Sequence, residues 1–173
     1  MEPLKGSEAA KAKRQHLDLI KKRGEAIHWM IEIESLLDEA IIWNCISGEY
    51  QDDFVGILQW EDFRLSTKVR LFSEIHLPDK MRKMQSLIVH LLRDKLLPTR
   101  NKFAHSPSTF EEHQTALIVR GRKYYEVTPK SFKEFKETCY KVMAMLRYIV
   151  WTQEEVIAIP KSMRGLMITP DQL

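Results

Sequence analysis

The chain reads as an all-α protein: a helical bundle of four or more helices with a small β-hairpin insertion. Three observations carry that reading. Apolar residues recur at three- and four-residue intervals along most of the 173 residues. Residues that start and stop helices stand where those patterns begin and end. One short stretch, 115–127, changes to β-rich composition on either side of Arg120-Gly121-Arg122. With 44% hydrophobic and 29% charged residues, the composition is that of a globular domain with a core of its own.

The first element runs from about Leu17 to Asn44. On a helical wheel His28, Glu32, Ser35 and Glu39 share a narrow polar arc, while Trp29, Met30, Ile33, Leu36, Leu37, Ala40 and Ile41 fill most of the remainder. So wide an apolar surface predicts packing on several neighbours, and Ser47-Gly48-Glu49 ends the helix. A second helix is expected from Asp62 to about Ile75, closed by Leu77-Pro78. Asp79 is the expected N-cap of a third, from about Lys80 to Leu97, with Met84, Leu87, Ile88, Leu91 and Leu92 inward. Pro98 is expected to kink or interrupt it, and Pro107 biases Ser106 out of helical conformation, which sets His105 at or near a helix end.

Thr115–Val119 and Lys123–Val127 form the expected hairpin. Thr128 can cap the last long helix and Pro129 suits its first position. Phe132, Phe135, Cys139, Val142, Met143, Leu146 and Ile149 then repeat at helical spacing to about Trp151. Three regions follow: a basic N-terminal arm or helix start at 1–24, a helical bundle at 25–158 and an irregular C-terminal tail at 159–173.

Two cysteines, Cys45 and Cys139, make no disulfide framework and fit a reducing cytoplasm; both sit in apolar helical patterns and read as core. Met1 to Gly6 lack the apolar run of a signal peptide, and no stretch approaches membrane-spanning length. The formal net charge is +3. Residues 1–24 hold seven basic groups against three acids, a net of +4, so the rest of the chain is close to neutral at about −1. That arm can steer toward nucleic acid or simply be a solvated helix start.

Two segments carry chemistry. Glu34 and Asp38, four apart, share a helix face with Ile27, Ile31, Ile41 and Cys45. Carboxylates on an apolar face are costly unless paired, so they predict a polar pocket or a cation inside the bundle, with Arg100 the expected partner; the alternative is a face left in water. The second segment is Arg100-Asn101-Lys102-Phe103-Ala104-His105. A guanidinium holds a phosphate with paired hydrogen bonds, and an imidazole moves a proton near neutral pH. Arg100 and His105 are about 140° apart on a regular helix, whereas Asn101 and His105 align better. A kink at Pro98 and termination near Pro107 would let all three reach one cleft; alternatively, Arg100 and His105 merely cap a helix. Phe103 and Ala104 point to the core.

Other candidates are weaker. His28 and Glu32 have the spacing of two metal ligands without an evident third, and read as a solvent-face pair. His113 has no clear partner. No metal site and no cofactor are expected.

The Arg100–Ser106 segment resembles the HEPN superfamily, helical domains of nucleases, toxins and defence proteins marked by an Arg, four to six residues, then a His. It is especially similar to the variant in mannitol-repressor-like bacterial proteins, whose second helix the Phe63–Leu71 segment also resembles. An acid in the first long helix, as Glu34 or Asp38 supplies, suits the family. The resemblance covers roughly residues 25–150 as an order of elements. It implies metal-independent RNA cleavage by attack of the 2′-hydroxyl, with Arg100 and His105 catalytic and Asn101, Glu34 and Asp38 supporting. It also implies a homodimer pairing two Arg100–His105 motifs, with RNA and an antitoxin or regulatory protein as partners in a toxin–antitoxin or defence setting. The alternative is a non-catalytic HEPN-like regulator that binds a nucleotide or a partner.

Overall fold

A computed structural model describes residues 6–46, 50–58, 64–106, 108–111, 114–119 and 123–153. The sequence-derived readings at His113 and Phe63 and of the tail at 159–173 lie outside these residues. The helices are α1 (Gly6–Cys45), α2 (Gln51–Leu58), α3 (Leu65–Glu74), α4 (Asp79–His90), α5 (Leu97–His105) and α6 (Pro129–Gln153), with a π-helical turn, Leu91–Leu96, joining α4 to α5. The protein is an all-α bundle. Between α5 and α6, strands β1 (Ser108–Glu111), β2 (Gln114–Val119) and β3 (Lys123–Glu126) pair antiparallel in that order. Ser108 lies opposite Leu117, and Leu117 opposite Tyr125. The sequence pointed to two β-rich runs; the strand pairing also takes in Ser108–Glu111.

The two long helices, α1 and α6, make the most extensive contact. Ile33, Leu37, Ala40 and Ile41 from α1 meet Cys139, Val142, Leu146 and Ile149 from α6 in one core. Phe72 of α3, Met84 and Ile88 of α4, and Leu92 and Leu96 of the π turn close it. Burying a side chain of this size contributes roughly 1.5–3 kcal/mol each, so the wide apolar surface of α1 is what holds the bundle together.

Several helix ends differ from expectation for local reasons. Residues 6–16 continue α1 upstream of Leu17, so residues 6–24 of the basic segment are a helix start, one of the two readings of it. Pro78, not Asp79, takes the cap position of α4; Asp79 is the first helical residue, where its charge complements the helix dipole. Gln85, buried on α4, donates its amide to the carbonyls of Phe72 (2.6 Å) and Ile75 (2.9 Å). It thereby satisfies acceptors that the end of α3 would otherwise leave open. For α6, the Ser131 N–H donates to Thr128 Oγ1 at 3.0 Å, and Pro129 opens the first turn, where its missing N–H costs nothing.

The helical backbone runs on through Pro98. The preceding turn widens to π geometry, in which the Leu97 N–H reaches the Leu92 carbonyl five residues back. The change of register falls just before Pro98, so its missing donor sits near the start of α5 instead of interrupting a continuous ladder.

Candidate functional site

α5 owes its orientation to one side chain. Phe103 is buried and packs edge-on against Phe132 (centroids 5.8–6.0 Å apart for Phe135 and Phe132). Trp29 of α1 joins the same cluster, 5.6 Å from Phe132 and 6.4 Å from Phe135. The anchored Phe103 fixes the rotation of α5 about its axis. Asn101, about 200° away around the helix, is consequently exposed, while Arg100 lies half-buried at the edge.

Arg100 Nη1 donates to Asn101 Oδ1 at 3.2 Å, so the guanidinium and the carboxamide sit side by side at the surface. His105 is the last residue of α5; its backbone position is one turn beyond Asn101, and its side chain lies outside the described residues. Two bonds secure this end of the helix. Arg23 Nη2 of α1 donates to the Ala104 carbonyl at 3.5 Å, and the Ser106 N–H donates to the Lys102 carbonyl at 3.2 Å. Ala104, expected in the core with Phe103, is only half-buried.

The acids of α1 do find a cation inside the bundle, but it is Lys68 of α3 rather than Arg100. Lys68 Nζ lies 2.9 Å from Glu34 Oε1 and 2.8 Å from Asp38 Oδ2, and its side chain is only 4% exposed. Asp38 is 15% and Glu34 32% exposed, so the question of their burial resolves as one nearly buried acid and one at the margin. Burial pulls the Lys68 ammonium toward the neutral form. The hydrogen bonds and charges of Asp38 and Glu34 outweigh it and hold its pKa above the ordinary value. For Asp38, burial dominates: it raises the carboxyl above the ordinary range against the pull of Lys68, and Oδ1 is buried with no hydrogen-bond partner.

Geometry explains why Lys68 and not Arg100 is the partner. Lys68 stands between Leu65, Val69 and Phe72, all buried, on the stripe that α3 turns toward α1. A lysine at i, i+3, i+4 spacing within an apolar stripe is the signal that the sequence carried. It pairs with two acids on the apolar stripe of the facing helix, and a charge on each stripe is tolerable only if the two meet.

Elsewhere, His28 Nε2 lies 3.3 Å from Glu32 Oε1 on the exposed face of α1. His90 Nδ1 and Asp94 Oδ2, both exposed, are 2.6 Å apart. Cys139 is buried, and desolvation pushes its thiol pKa up to about 12, which removes it as a nucleophile. Cys45, read as core, is exposed at the last residue of α1. A cleft of about 570 Å³ lies between α5 and α6, lined by Pro98, Thr99 and Lys102 on one side and Glu134, Thr138 and Lys141 on the other. Neither Arg100 nor Asn101 is among the residues that line it.

Among the described residues no group of three or more His, Cys, Asp or Glu side chains is placed to hold a metal ion, and no helix is long and apolar enough to cross a membrane. Comparison with known proteins gives no match to a family model, to a curated protein or to a solved structure.

Proposed function

We propose that the protein is a metal-independent endoribonuclease of HEPN type, a toxin or defence effector working in the cytoplasm, with Arg100 and His105 as its catalytic pair. The observation that carries the reading is the Arg100–Asn101 pair: a guanidinium and a carboxamide joined at 3.2 Å on the solvent side of a helix fixed by Phe103. That arrangement suits a phosphodiester, since a guanidinium presents paired donors to phosphate oxygens.

In the proposed reaction the RNA 2′-oxygen gives its proton to a base and forms a bond to phosphorus. The P–O5′ bond breaks and the departing oxygen takes a proton, leaving a 2′,3′-cyclic phosphate and a 5′-hydroxyl. His105 serves as base or acid, and Arg100 neutralises charge on the five-coordinate transition state. Asn101 orients the guanidinium or contacts the phosphate. A single His per motif fills one proton-transfer role, so the mechanism calls for a homodimer in which a second motif supplies the other. Glu34 and Asp38 support the site at a distance, through the packing of α1.

The test is cleavage of single-stranded RNA in EDTA, with product ends identified. Wild type is expected to leave cyclic phosphate termini, and Arg100→Ala and His105→Ala each to reduce the rate at least 100-fold, the scale of a lost general acid–base or charge-stabilising group. Intact RNA with all three proteins across several substrates removes the reading.

One observation favours a second function. The carboxylates that would orient Arg100 are engaged by Lys68, which suits a non-catalytic HEPN-like regulator whose α5 surface binds a nucleotide or a partner protein. Retained partner or nucleotide binding without RNA cleavage distinguishes it.

A further inference from the structure

The face of α1 that carries Glu34 and Asp38 divides into two halves. Toward the C-terminus it packs on the bundle, with Asp38 at 15% and Ile41 at 2% exposure, until Cys45 at the helix end is exposed again. Toward the N-terminus it does not: Leu17 is 56%, Ile20 50%, Ile27 37% and Ile31 60% exposed. With Gly24 these positions follow one another at intervals of three, four, three and four residues. That is the alternation of an a/d seam, the stripe one helix presents to another along its length. Scattered surface aliphatics need no explanation, but four in register on a helix of 40 residues define a surface shaped for a helix. At Gly24 nothing lies within 4 Å of where a Cβ would stand, so the middle of the seam is an open notch.

Charge identifies the occupant. From Gly6 to Gly24, α1 carries six basic groups (Lys11, Lys13, Arg14, Lys21, Lys22, Arg23) and two acids (Glu8, Asp18). From Glu25 to Cys45 it carries five acids (Glu25, Glu32, Glu34, Asp38, Glu39) and no Lys or Arg; Glu34 and Asp38 face Lys68 of α3, and the excess of acid persists in Glu25, Glu32 and Glu39. A second α1 laid parallel sets basic half on basic half. Laid antiparallel, it sets each basic half on an acidic one, and like charges directly opposed are what such interfaces avoid.

We propose that the protein forms an antiparallel homodimer through the Leu17–Ile20–Gly24–Ile27–Ile31 seam of α1. In the self-complementary register, Ile27 of each copy fills the notch at Gly24 of the other, and Ile20 of each meets Ile31 of the other. Lys21, on the solvent flank of the seam, then comes within reach of Glu32 of the second copy. On the opposite flank Arg23 ties α1 to the end of α5 through the Ala104 carbonyl. In an antiparallel pair the Arg23 flanks of the two copies face the same way, so both α5 ends border one cleft. The seam itself rests on α1 alone; only that last consequence bears on the ribonuclease reading.

Orientation is read by cross-linking full-length chains in a Cys45→Ser background, with Ile20→Cys and Ile31→Cys made separately. Wild type is expected to show the mass of a dimer by light scattering at micromolar concentration. After oxidation, an equal mixture of the two cysteine variants gives a covalent dimer, and neither variant alone does. Ile31→Glu, at a position already exposed, halves the measured mass and leaves the helical circular dichroism unchanged. Lys21→Glu weakens the dimer, and adding Glu32→Lys restores it. Cross-linking of each cysteine variant with itself means a parallel pair and overturns the proposal. A wild-type monomer also overturns it, including one whose seam is covered by another segment of its own chain. A dimer that passes these tests but leaves RNA intact keeps the seam and removes the nuclease; RNA cleavage by a monomer removes the seam and keeps a nuclease, but one that works without a second motif.

Discussion

Replacing Lys68 by Met tests the central polar contact of the fold. At 2.8 Å from Asp38 and an effective dielectric of about 20, the ion pair is attractive by about 6 kcal/mol. Removing both ions from water opposes this by several kcal/mol each. Met conserves the length and volume of the lysine stem, so packing among Leu65, Val69 and Phe72 survives and the electrostatic loss is isolated. What remains is a carboxylate at Asp38, 15% exposed and without a cation, while Glu34, 32% exposed, can turn toward water. Breaking one side of a buried pair costs about 3–5 kcal/mol, a large share of the roughly 5–15 kcal/mol that stabilises a domain. Urea denaturation at neutral pH should show that loss with an unchanged slope. Lys68→Met combined with Asp38→Leu should recover most of it, because the orphaned charge is gone. The sign with pH is fixed as well. Asp38 already titrates above its ordinary value of 3.8, and without Lys68 it titrates higher still. Its penalty is present above the folded pKa and is relieved as pH falls through it, so the gap between wild type and Lys68→Met should narrow toward acid. A gap below about 1 kcal/mol at neutral pH, or one that does not change with pH, would refute the account of these acids as buried and dependent on Lys68.

Other perturbations follow from the same packing. The raised Lys68 pKa contributes stability that is fully present below the ordinary 10.5 and is lost as pH rises through the folded value. Wild type should therefore lose more stability than Lys68→Met in alkaline thermal melts above that point. Phe103→Ala empties the centre of the aromatic cluster that sets α5; a loss of about 3–5 kcal/mol is expected in denaturant titrations. Increased proteolytic cleavage around residues 97–106 should accompany it. Thr128→Ala removes the oxygen that accepts the Ser131 N–H and should cost about 1 kcal/mol, whereas Thr128→Ser should be nearly neutral by the same measurement.

How much of this was legible beforehand depends on length and period. The apolar repeats of α1 and α6 span enough turns to be read directly, and Thr128-Pro129 marks the start of α6 by residue chemistry alone. α2, from Gln51 to Leu58, was not anticipated, because eight residues hold too few turns for a period to emerge. The π turn at Leu91–Leu96 could not be read either: Pro98 announces a conflict with the helix ladder but not which residues absorb it. In the candidate site, the inward turn of Phe103 followed from its position in the sequence. The Arg100–Asn101 bond did not, since it needs the rotation that the cluster with Trp29, Phe132 and Phe135 imposes.

By itself the sequence determined that the chain is helical and that two acids in α1 share a face with Ile27, Ile31, Ile41 and Cys45, which left open whether a cation or water meets them. It also placed Arg100, Asn101 and His105 in the last turns of a helix. These are consequences of local spacing, which fixes the face of a helix each side chain occupies. Which faces meet was decided only by the tertiary structure. Packing α3 against α1 brought Lys68 to Glu34 and Asp38, and Arg100 was left at the surface beside Asn101. The same packing covered Asp38 and Ile41 on the α1 stripe and left Leu17, Ile20, Ile27 and Ile31 in solvent. Charge pairing across a bundle acts over a few ångströms and depends on which helices become neighbours, and neighbours are chosen by the burial of the whole core.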